Sequence, residues 1–476
     1  VRPRKENLAW TGKLLCIAGI SGFLFLGIGT KEIVVTFPIM AIIYIWLITP
    51  ADERKSLKIK IGALLLPLLI YFCYRYIEQG NVFSLKADPT SGETSRFLYF
   101  FSQVKVVVHY YLLKLFLPFN LNFEPDIRLL SGSIDGQLVC AGGILGVCAI
   151  MVFRHKSPVL QFAALWFLIA LLPTSSFIPL KQIATEHRTY LPGLGFSLLL
   201  GWLFLNTQPI RTLATGLLLA FLSFTFLLTV NRSLDYRSAI VLWQDTAEKS
   251  PNKALVHNNL ATVYMENEML EEAKDELAIT LQLNPTQSDA YANLGHIHFQ
   301  QEHWSKAIEE FNHAIALGSN KPDTYYFAGL AWNKQKAYGQ AIPFLQKAVS
   351  MRSHNAEYHF ALGDAFRQVK SFDEALQEFR RTLAIKPEHP QAQNNIGVIF
   401  WNLKAYEKAE IEFKKALDIQ QDLPEIHHNL AALHLKNNRY ASAIPHLEQV
   451  LRLQPGNATA QKLLDHAVSQ MKKGPS

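Results

Sequence analysis

The sequence predicts an all-α protein in two parts, a polytopic bundle of membrane helices followed by an α-helical solenoid. Three observations lead to this prediction. Seven apolar runs lie within the first 230 residues, a 34-residue pattern recurs six times from Ala254 onward, and the basic excess is confined to the apolar half. We predict a membrane domain over residues 1–230, a linker over 231–253, six repeats over 254–457, and a capping helix with a tail over 458–476.

The charge of the chain is divided unevenly between the two parts. Residues 1–250 contain 23 Lys and Arg against 14 Asp and Glu, a net charge of +9, whereas residues 251–476 contain 23 against 25, a net charge of −2. A basic excess that accompanies apolar runs is typical of membrane orientation. The polar half has no Lys/Arg block and no RNA-binding signature, so we expect no nucleic-acid partner.

The four cysteines all lie inside apolar runs, and the repeats contain none. This excludes a disulfide framework and a cysteine-based zinc site in the repeats, but it leaves the redox compartment open. The histidines of the repeats follow no metal-binding spacing, and we interpret them as helix-surface residues: His296, His298, His313, His427, His428 and His434. The sequence therefore identifies no metal site and no bound cofactor.

The apolar runs predict seven membrane spans. Several are shorter than the roughly 20 residues that cross a bilayer, but flanking aromatic and basic side chains extend such helices by snorkelling. Buried helices of a soluble protein would not give seven such runs in 230 residues. The runs cover residues 14–29, 33–49, 61–76, 138–153, 159–173, 190–205 and 212–230.

Basic residues lie before the first run and then in alternate loops, which predicts that these loops are cytoplasmic. The turn at Lys31, residues 77–137, residues 174–189 and everything after Val230 then lie on the other side. We therefore expect a bacterial inner-membrane or endoplasmic-reticulum protein with its repeats in the periplasm or lumen. The basic residues in question are Arg2, Arg4, Lys5, Lys13, Arg54, Lys55, Lys58, Lys60, Arg154, Lys156 and Arg211.

Residues 96–119 are apolar but contain Lys105, His109 and Lys114. If this segment spanned the membrane, the downstream basic loops would face the wrong side, so we predict an interfacial or re-entrant helix. Such a helix either holds an anionic lipid phosphate or only caps the bundle, and the sequence leaves both open.

The loop after this segment, residues 118–136, contains three carboxylates: Glu124, Asp126 and Asp135. They are either donor-site carboxylates or solvated side chains. We favour the solvated interpretation for all three.

Each 34-residue unit has a small residue at position eight, alanine at position twenty and a large apolar residue at position twenty-four. This pattern is typical of tetratricopeptide (TPR) repeats, in which each unit is a pair of antiparallel helices. The small residues let the two helices touch, and the large residue fills the space toward the next unit. The units begin at Ala254, Ser288, Pro322, Ala356, Pro390 and Pro424, and a final helix over residues 458–473 covers the last apolar face.

TPR arrays bind peptides or partner helices in their concave groove. The clamp that binds chaperone tails needs lysine at position five and asparagine at position nine of one unit, and no unit here has that pair. Position six instead carries Asn259, Asn293, Asn395 and Asn429, interrupted by Phe327 and Ala361.

An asparagine side chain both donates and accepts, so it pairs with a peptide backbone without reading sequence. We predict two polar patches that flank an apolar one, in which Tyr326, Phe327 and Phe360 anchor a side chain of a bound protein or peptide. The alternative is that asparagine is simply common at this position of TPR helices.

Glu186, His187 and Arg188 lie in a row at the mouth of a predicted membrane helix. Ionisable groups at this depth mark a substrate or ion pathway. The alternative is an ordinary headgroup-level loop in which Arg188 snorkels and Tyr190 belongs to the aromatic belt.

The stretch from Glu186 to Gly195 resembles a Glu-Arg-x-Leu-Tyr-Leu-Pro-Ser-x-Gly segment of the transmembrane-and-TPR O-mannosyltransferases, which are C-type glycosyltransferases. Residues 27–33 resemble the Ser-Lys-Glu turn of that family. Residues 231–252, with Arg232, Trp243 and Ser250-Pro251-Asn252, resemble its bridge into the repeats. The resemblance covers nearly the whole chain.

The resemblance implies an enzyme that moves a mannose-like sugar from a polyprenyl-phosphate carrier to protein Ser/Thr, with the lipid bilayer and the carrier as partners. It implies a lipid-phosphate site at Arg188 and His187, aided by Lys31 or Lys105, with Glu186 orienting Arg188.

That family carries its catalytic acids in an early non-cytoplasmic loop that this chain lacks, so the catalytic residues stay unidentified. Since the chain begins at Val1, we expect the C-terminal part of a longer protein. The alternative function is a non-catalytic, membrane-anchored TPR scaffold for protein–protein interaction.

Overall fold

The computed structural model describes residues 40, 42–43, 46–47, 96–127, 136–155, 157–171, 184–185, 188, 190–206 and 211–473. These residues contain helices and connecting loops and no strand, which confirms the all-α prediction for this part of the chain. The chain divides into two compact units, Val1–Val256 and His257–Ser476.

The described part of the first unit is mainly helical. Its helices are α1 (Arg96–Val106), a π-helical turn (Val107–Leu112), α2 (Leu113–Phe116), α3 (Gly136–Arg154), α4 (Pro158–Leu171), α5 (Tyr190–Asn206), α6 (Arg211–Asp235) and α7 (Ala239–Lys249).

The π-helical turn lies in the middle of the segment 96–116 and changes which side chains face inward. Because a π turn inserts an extra residue, the neighbouring Tyr110 and Tyr111 are both buried, against Phe167 and Leu171 of α4. Lys114 then donates to the carbonyl oxygens of Phe119 and Asn120, at the point where the helical segment ends.

Helices α4 and α5 pack closely because Gly195 lacks a side chain. A Cβ at this position would lie 2.6 Å from the carbonyl oxygen of Ala163 and 2.9 Å from the amide nitrogen of Phe167. Gly195 belongs to the stretch that resembles the glycosyltransferase segment, and in this structure its role is helix packing.

One helix of the described residues, α3 (Gly136–Arg154), is long and apolar enough to cross a membrane. Two shorter apolar helices, Pro158–Leu171 and Pro192–Leu203, accompany it. On α3 the side chains of Val139, Val147 and Ile150 are 64%, 56% and 61% exposed. The polytopic bundle of seven spans is therefore not shown, and the runs 14–29 and 61–76 lie outside the described residues.

The second part of the chain is a series of helix pairs. They are α8 (Ala254–Glu266) with α9 (Leu270–Leu283), α10 (Ser288–Gln300) with α11 (Trp304–Ala316), α12 (Pro322–Lys334) with α13 (Tyr338–Met351), α14 (Ala356–Gln368) with α15 (Phe372–Ile385), α16 (Pro390–Asn402) with α17 (Tyr406–Ile419), and α18 (Pro424–Lys436) with α19 (Tyr440–Leu453). We refer to these pairs as repeats 1 to 6.

The small residue at position eight lets the two helices of a repeat touch, as the spacing predicted, but the large residue at position twenty-four, which was predicted to fill the space toward the next unit, packs against position eight of its own repeat. A Cβ on Gly397 would lie 2.6 Å from the Phe413 ring, and a Cβ on Gly295 would lie 2.7 Å from the Phe311 ring. Phe413 and Phe311 are almost completely buried. The absence of a side chain at position eight therefore creates the space that the position-twenty-four ring fills.

The turn between the two helices of each repeat places one residue in the left-handed backbone region. Position fifteen has φ between 55° and 64° in all six repeats, and it is never glycine. These residues are Glu268, Glu302, Lys336, Lys370, Lys404 and Asn438. Since side chains other than that of glycine are strained there, each turn stores a little free energy.

The last helix, α20 (Ala458–Lys473), covers the apolar face of repeat 6. Its Ala460 and Ala467 are fully buried in one cluster with Ala431 and Leu447. A solenoid needs such a terminal helix, because the last repeat has no successor to cover its core.

Candidate peptide-binding groove

Two asparagine pairs join successive repeats across the predicted groove. Asn293 Nδ2 donates to Asn258 Oδ1 at 3.2 Å and to Thr262 Oγ1 at 3.3 Å. Asn429 Nδ2 donates to Asn394 Oδ1 at 2.9 Å. Each pair therefore joins position six of one repeat to position five of the repeat before it.

The pairing uses the position-six nitrogen and the position-five oxygen, and it does not use the other polar atom of either carboxamide. A carboxamide has two donor hydrogens and an acceptor oxygen, so each pair retains donor capacity on the position-five nitrogen and acceptor capacity on the position-six oxygen. A peptide backbone offers the complementary carbonyl and N–H.

The sequence interpretation missed Asn258 and Asn394, although each directly precedes a predicted ladder residue. The remaining predicted residues, Asn259 and Asn395, are half-buried and form no such pair. For Asn395 the reason is that position five of the preceding repeat is Phe360.

Aromatic side chains fill the groove between the two asparagine pairs. The Phe327 ring lies 4.4 Å from the His296 ring and 5.4 Å from the Phe299 ring, both in edge-to-face contact. Tyr326 stacks on Tyr358 at 4.7 Å. The rings hold one another in fixed orientations, because edge-to-face and stacked contacts stabilise aromatic pairs.

Phe360, the third predicted anchor, belongs to a neighbouring cluster. Its ring lies 4.7 Å from the His389 ring and 5.7 Å from the Phe379 ring. Ala361, which interrupts the asparagine ladder, is buried. The structure thus brings Tyr326 and Phe327 together and places Phe360 one repeat further along.

The electrostatics of this aromatic cluster favour neutral side chains. Burial lowers the pKa of His296 to about 4, so its imidazole is uncharged at neutral pH. Burial, with the nearby charges of Glu357 and Asp323, raises the pKa of Tyr326 to about 12. The centre of the groove therefore presents an uncharged aromatic surface.

The interpretation of the histidines as helix-surface residues is wrong for two of them. His427 is 9% exposed and His434 is 5% exposed. His427 lies at position four of its repeat, and its side chain faces position twenty-three of the same repeat. His434 lies at position eleven, which carries an aromatic side chain or a histidine in every repeat.

Position four and position twenty-three form polar contacts in four of the repeats. His257 Nδ1 lies 2.6 Å from Glu276 Oε2, and His359 Nδ1 lies 2.5 Å from Glu378 Oε2. Gln393 donates to Glu412, and the Nδ1 atoms of His427 and His446 lie 3.0 Å apart. These contacts hold the two helices of a repeat together. Throughout the described ranges, no group of three or more His, Cys, Asp or Glu side chains is arranged to hold a metal ion.

The predicted lipid-phosphate residues lie in the first unit, and the structure describes only some of them. Arg188 is half-buried and its backbone N–H donates to the carbonyl oxygen of Thr185 at 3.2 Å. Lys105 is half-buried on α1. For Tyr190 only the backbone, which begins α5, is described, and Lys31, Glu186 and His187 lie outside the described residues.

The interpretation of Glu124 as a solvated carboxylate is wrong. Its side chain is 0% exposed, and Oε1 lies 3.1 Å from Lys253 Nζ. Lys253 Nζ also donates to the carbonyl oxygen of Pro125 at 3.2 Å. Asp126 is exposed, as expected, and Asp135 lies outside the described residues.

The surrounding contacts explain this burial, because the loop 117–127 is tied to the residues that precede the repeats. Asn122 Nδ2 donates to Ser250 Oγ at 2.8 Å, and Ser250 Oγ donates to the carbonyl oxygen of Glu124 at 3.1 Å. The Phe123 ring contacts Trp243 edge-to-face at 5.4 Å. The segment that resembles the bridge of the transmembrane-and-TPR proteins is thus packed against this loop.

A buried arginine completes the bridge. Arg232 is 7% exposed and its Nη1 lies 2.9 Å from Asp235 and 2.7 Å from Asp245. These contacts join the end of α6 to α7. Two carboxylates around one guanidinium give the arginine charge the compensation that burial requires.

Comparison with known proteins confirms the nature of the repeats. Tetratricopeptide-repeat family models match residues 258–322, 292–357, 327–390 and 360–424, and a second such model matches 424–457. The helix pairs described above are TPR repeats.

One curated relative is a protein O-mannosyl-transferase of Caenorhabditis elegans, 24% identical over 212 residues. The match covers 42% of this chain and 29% of that protein. The chain thus spans well under half the length of this relative.

Solved structures are also similar. YrrB, described as a TPR protein with an unusual peptide-binding site, is 28% identical, with a TM-score of 0.39, over 42% of this chain and 100% of its own. PilF of Pseudomonas aeruginosa is 20% identical, with a TM-score of 0.39, over 45% of this chain and 97% of its own.

Proposed function

We propose that the TPR groove binds an extended segment of a partner protein. The observation that carries this proposal is the pair of asparagine contacts, Asn258 with Asn293 and Asn394 with Asn429, on either side of the Tyr326 and Phe327 cluster. The asparagine pairs bind backbone groups of any sequence. The aromatic cluster supplies the buried contact that dominates the affinity of such interfaces.

The proposal is tested with the whole chain in detergent and fluorescein-labelled Ser/Thr-rich peptides, by fluorescence anisotropy. Replacing both Asn258 and Asn394 by alanine should weaken binding about ten-fold, which corresponds to about 1.4 kcal/mol. Asn312→Ala is the matched control, because Asn312 is an exposed asparagine on the second helix of repeat 2. Unchanged affinity in the double variant would show that the asparagines only connect the repeats.

A second function, sugar transfer, is supported by the relative that is a protein O-mannosyl-transferase. In this proposal the chain is the TPR-bearing part of a membrane glycosyltransferase that takes a mannose-like sugar from a polyprenyl phosphate. The TPR groove would hold the Ser/Thr acceptor, and Arg188 would bind the departing lipid phosphate with its planar fork of donors. The apolar, exposed surface of α3 is consistent with a bilayer location.

Arg188 provides the test of this second function. In membranes that contain the complete protein, Arg188→Ala should abolish transfer without changing insertion, and Arg188→Lys should restore little because the fork is lost. A reporter fused at Ser175 and another at Asn320 should both lie on the non-cytoplasmic side. Full transfer by the alanine variant would show that Arg188 belongs to an ordinary headgroup-level loop, whereas a complete wild-type protein without transfer activity would favour the non-catalytic scaffold.

A further inference from the structure

Acidic residues occupy position two in several repeats, and in repeats 3 and 4 this acid has a basic partner at position thirty-one of the same repeat. Asp323, at position two of repeat 3, lies 3.6 Å from Arg352 at position thirty-one. Glu357, at position two of repeat 4, lies 3.5 Å from Lys386 at position thirty-one. The position-two carboxylate is thus neutralised within its own repeat.

Repeat 6 keeps the acid but lacks the cation. Glu425 occupies position two, while position thirty-one is Gln454. Within the described part of the chain, no Lys, Arg or His nitrogen forms a salt bridge with Glu425. The carboxylate is therefore uncompensated at the place where repeats 3 and 4 supply a cation.

A cavity of about 400 Å³ opens beside this carboxylate. Two residues at this place are smaller than their counterparts at repeat 3. Gln454 takes the repeat position of Arg352, and Ala460 of α20 takes the position of Tyr358, which donates to Asp323. The lining of the cavity is polar apart from Pro424 and Val450, and consists of Pro424, Glu425, His428, Asn429, Val450, Gln454, Asn457 and Thr459.

The lining contains hydrogen-bond acceptors, namely the Glu425 carboxylate and the side-chain oxygen of Asn429. Asn429 uses its nitrogen on Asn394, which leaves its oxygen as an acceptor beside the Glu425 carboxylate. Asn457 donates to Gln454 at 3.0 Å and accepts from the Ala460 amide, so these amides already have partners. A ligand that donates several hydrogen bonds and carries positive charge fits this arrangement.

We propose that this cavity binds the cationic end of an arginine or lysine side chain of the partner segment, in the place that Arg352 and Lys386 take in repeats 3 and 4. The inference rests on peptide binding in the groove and adds a specificity to it. Asn429 belongs both to the second asparagine pair and to the cavity wall, so the segment held by that pair delivers its side chain here. Guanidinium is favoured, because its planar fork reaches the carboxylate and the amide oxygen together.

The experiment uses the whole chain in detergent and two fluorescein-labelled peptides, Gly-Ser-Thr-Arg-Ser-Thr-Gly and the same peptide with glutamine for arginine. The wild-type chain should bind the arginine peptide about three- to five-fold more tightly, in line with a solvent-accessible ion pair. The preference should decrease at 0.5 M NaCl, since salt screens exposed charges.

Two variants and a control locate the effect. Glu425→Gln removes the carboxylate, and Gln454→Arg supplies the intramolecular cation of repeat 3; each should abolish the preference and keep the affinity for the glutamine peptide. Glu407→Gln, an exposed acid on the second helix of repeat 5, should change nothing. If either Glu425→Gln or Gln454→Arg keeps the preference, or the wild type has none, the cation site is overturned while peptide binding stands. If neither peptide binds, peptide binding and the cation site fail together.

Discussion

His359 Nδ1 lies 2.5 Å from Glu378 Oε2, while its Nε2 lies 3.0 Å from the carbonyl oxygen of Ser353. Both ring nitrogens thus face acceptors, and only the imidazolium donates to both. The hydrogen bond to Glu378 is the main cause that raises the pKa of His359, with the Ser353 carbonyl adding to it. The pair therefore makes the stability of repeat 4 dependent on pH.

The direction of this dependence follows from the raised pKa. A histidine whose pKa is raised by folding contributes stability that is complete below its unfolded pKa of about 6.5 and is lost as the pH rises through the folded value. We expect a double-mutant cycle of His359→Gln and Glu378→Gln to give about 1–2 kcal/mol at pH 6 and a smaller coupling at pH 9, by chemical denaturation. Gln393 and Glu412 in repeat 5 are the control, because no imidazole titrates there. A coupling that is the same at both pH values would contradict this assignment.

Repeat 6 should respond to pH in the opposite direction. His446 has its pKa lowered to about 4 by burial and by the nearby His427, His434 and Lys414, with Glu410 opposing. A histidine whose pKa is lowered by folding costs stability as the pH falls below about 6.5, and the cost grows until the pH reaches the folded value.

Hydrogen exchange measures this effect locally. Between pH 6.5 and pH 4.5 the amides of α18 and α19 should lose protection relative to those of repeat 5, after correction for intrinsic exchange. His446→Gln should reduce this loss. Equal loss in both repeats would show that His446 does not determine acid stability.

The contact of Gly397 with Phe413 is tested by adding a single methyl group. Gly397→Ala should destabilise repeat 5 by about 1–3 kcal/mol, because its Cβ would lie 2.6 Å from the ring. Repeats 1 and 6 combine alanine at position eight with Leu277 and Leu447. Adding Phe413→Leu should therefore restore part of the loss, and the double variant should be more stable than the sum of the two single changes. If the losses of unfolding free energy from Gly397→Ala and Phe413→Leu simply add in the double variant, the two side chains do not compete for the same space.

The sequence predicted the repeats well because their determinants are local and periodic. Gly397 and Phe413 lie in the same repeat, so the small residue and the ring recur at a fixed spacing, although the ring was predicted to face the next unit. Asn258 and Asn293 lie in different repeats, and their hydrogen bond depends on the offset between two neighbouring first helices, which periodicity does not give. Glu124 was misjudged because an acid in a loop is normally solvated, whereas its burial depends on Lys253, far away in the sequence.

Lys370 offers a stabilising substitution. Its φ of 64° is in the left-handed region, so Lys370→Gly should stabilise the chain by up to about 1 kcal/mol, measured by chemical denaturation. Asn438→Gly is the matched control at the same position of repeat 6, where φ is 55°. Asparagine tolerates this region, so the control should gain less. Destabilisation by Lys370→Gly would mean that backbone entropy outweighs the relief of strain at this turn.

Lys253 provides the final test, at the segment that precedes the repeats. Lys253→Met removes the cation 3.1 Å from the fully buried Glu124, and the loss of one partner from a buried pair should cost about 3 kcal/mol. We expect faster hydrogen exchange in residues 121–127 and 243–253, because the loop and the bridge are held by the same contacts. Adding Glu124→Gln should recover most of the protection, since the buried charge is then absent as well. Lys249→Met serves as the comparison. Lys249 binds the carbonyl oxygen of Leu121 at 2.8 Å and Asp245 at 2.6 Å, and Asp245 is partly exposed and keeps Arg232 as a second partner. It should cost less, and Glu124→Gln should not rescue it. If the two lysine variants lose equal protection and neither is rescued, the Glu124 charge is not what ties the loop to the bridge.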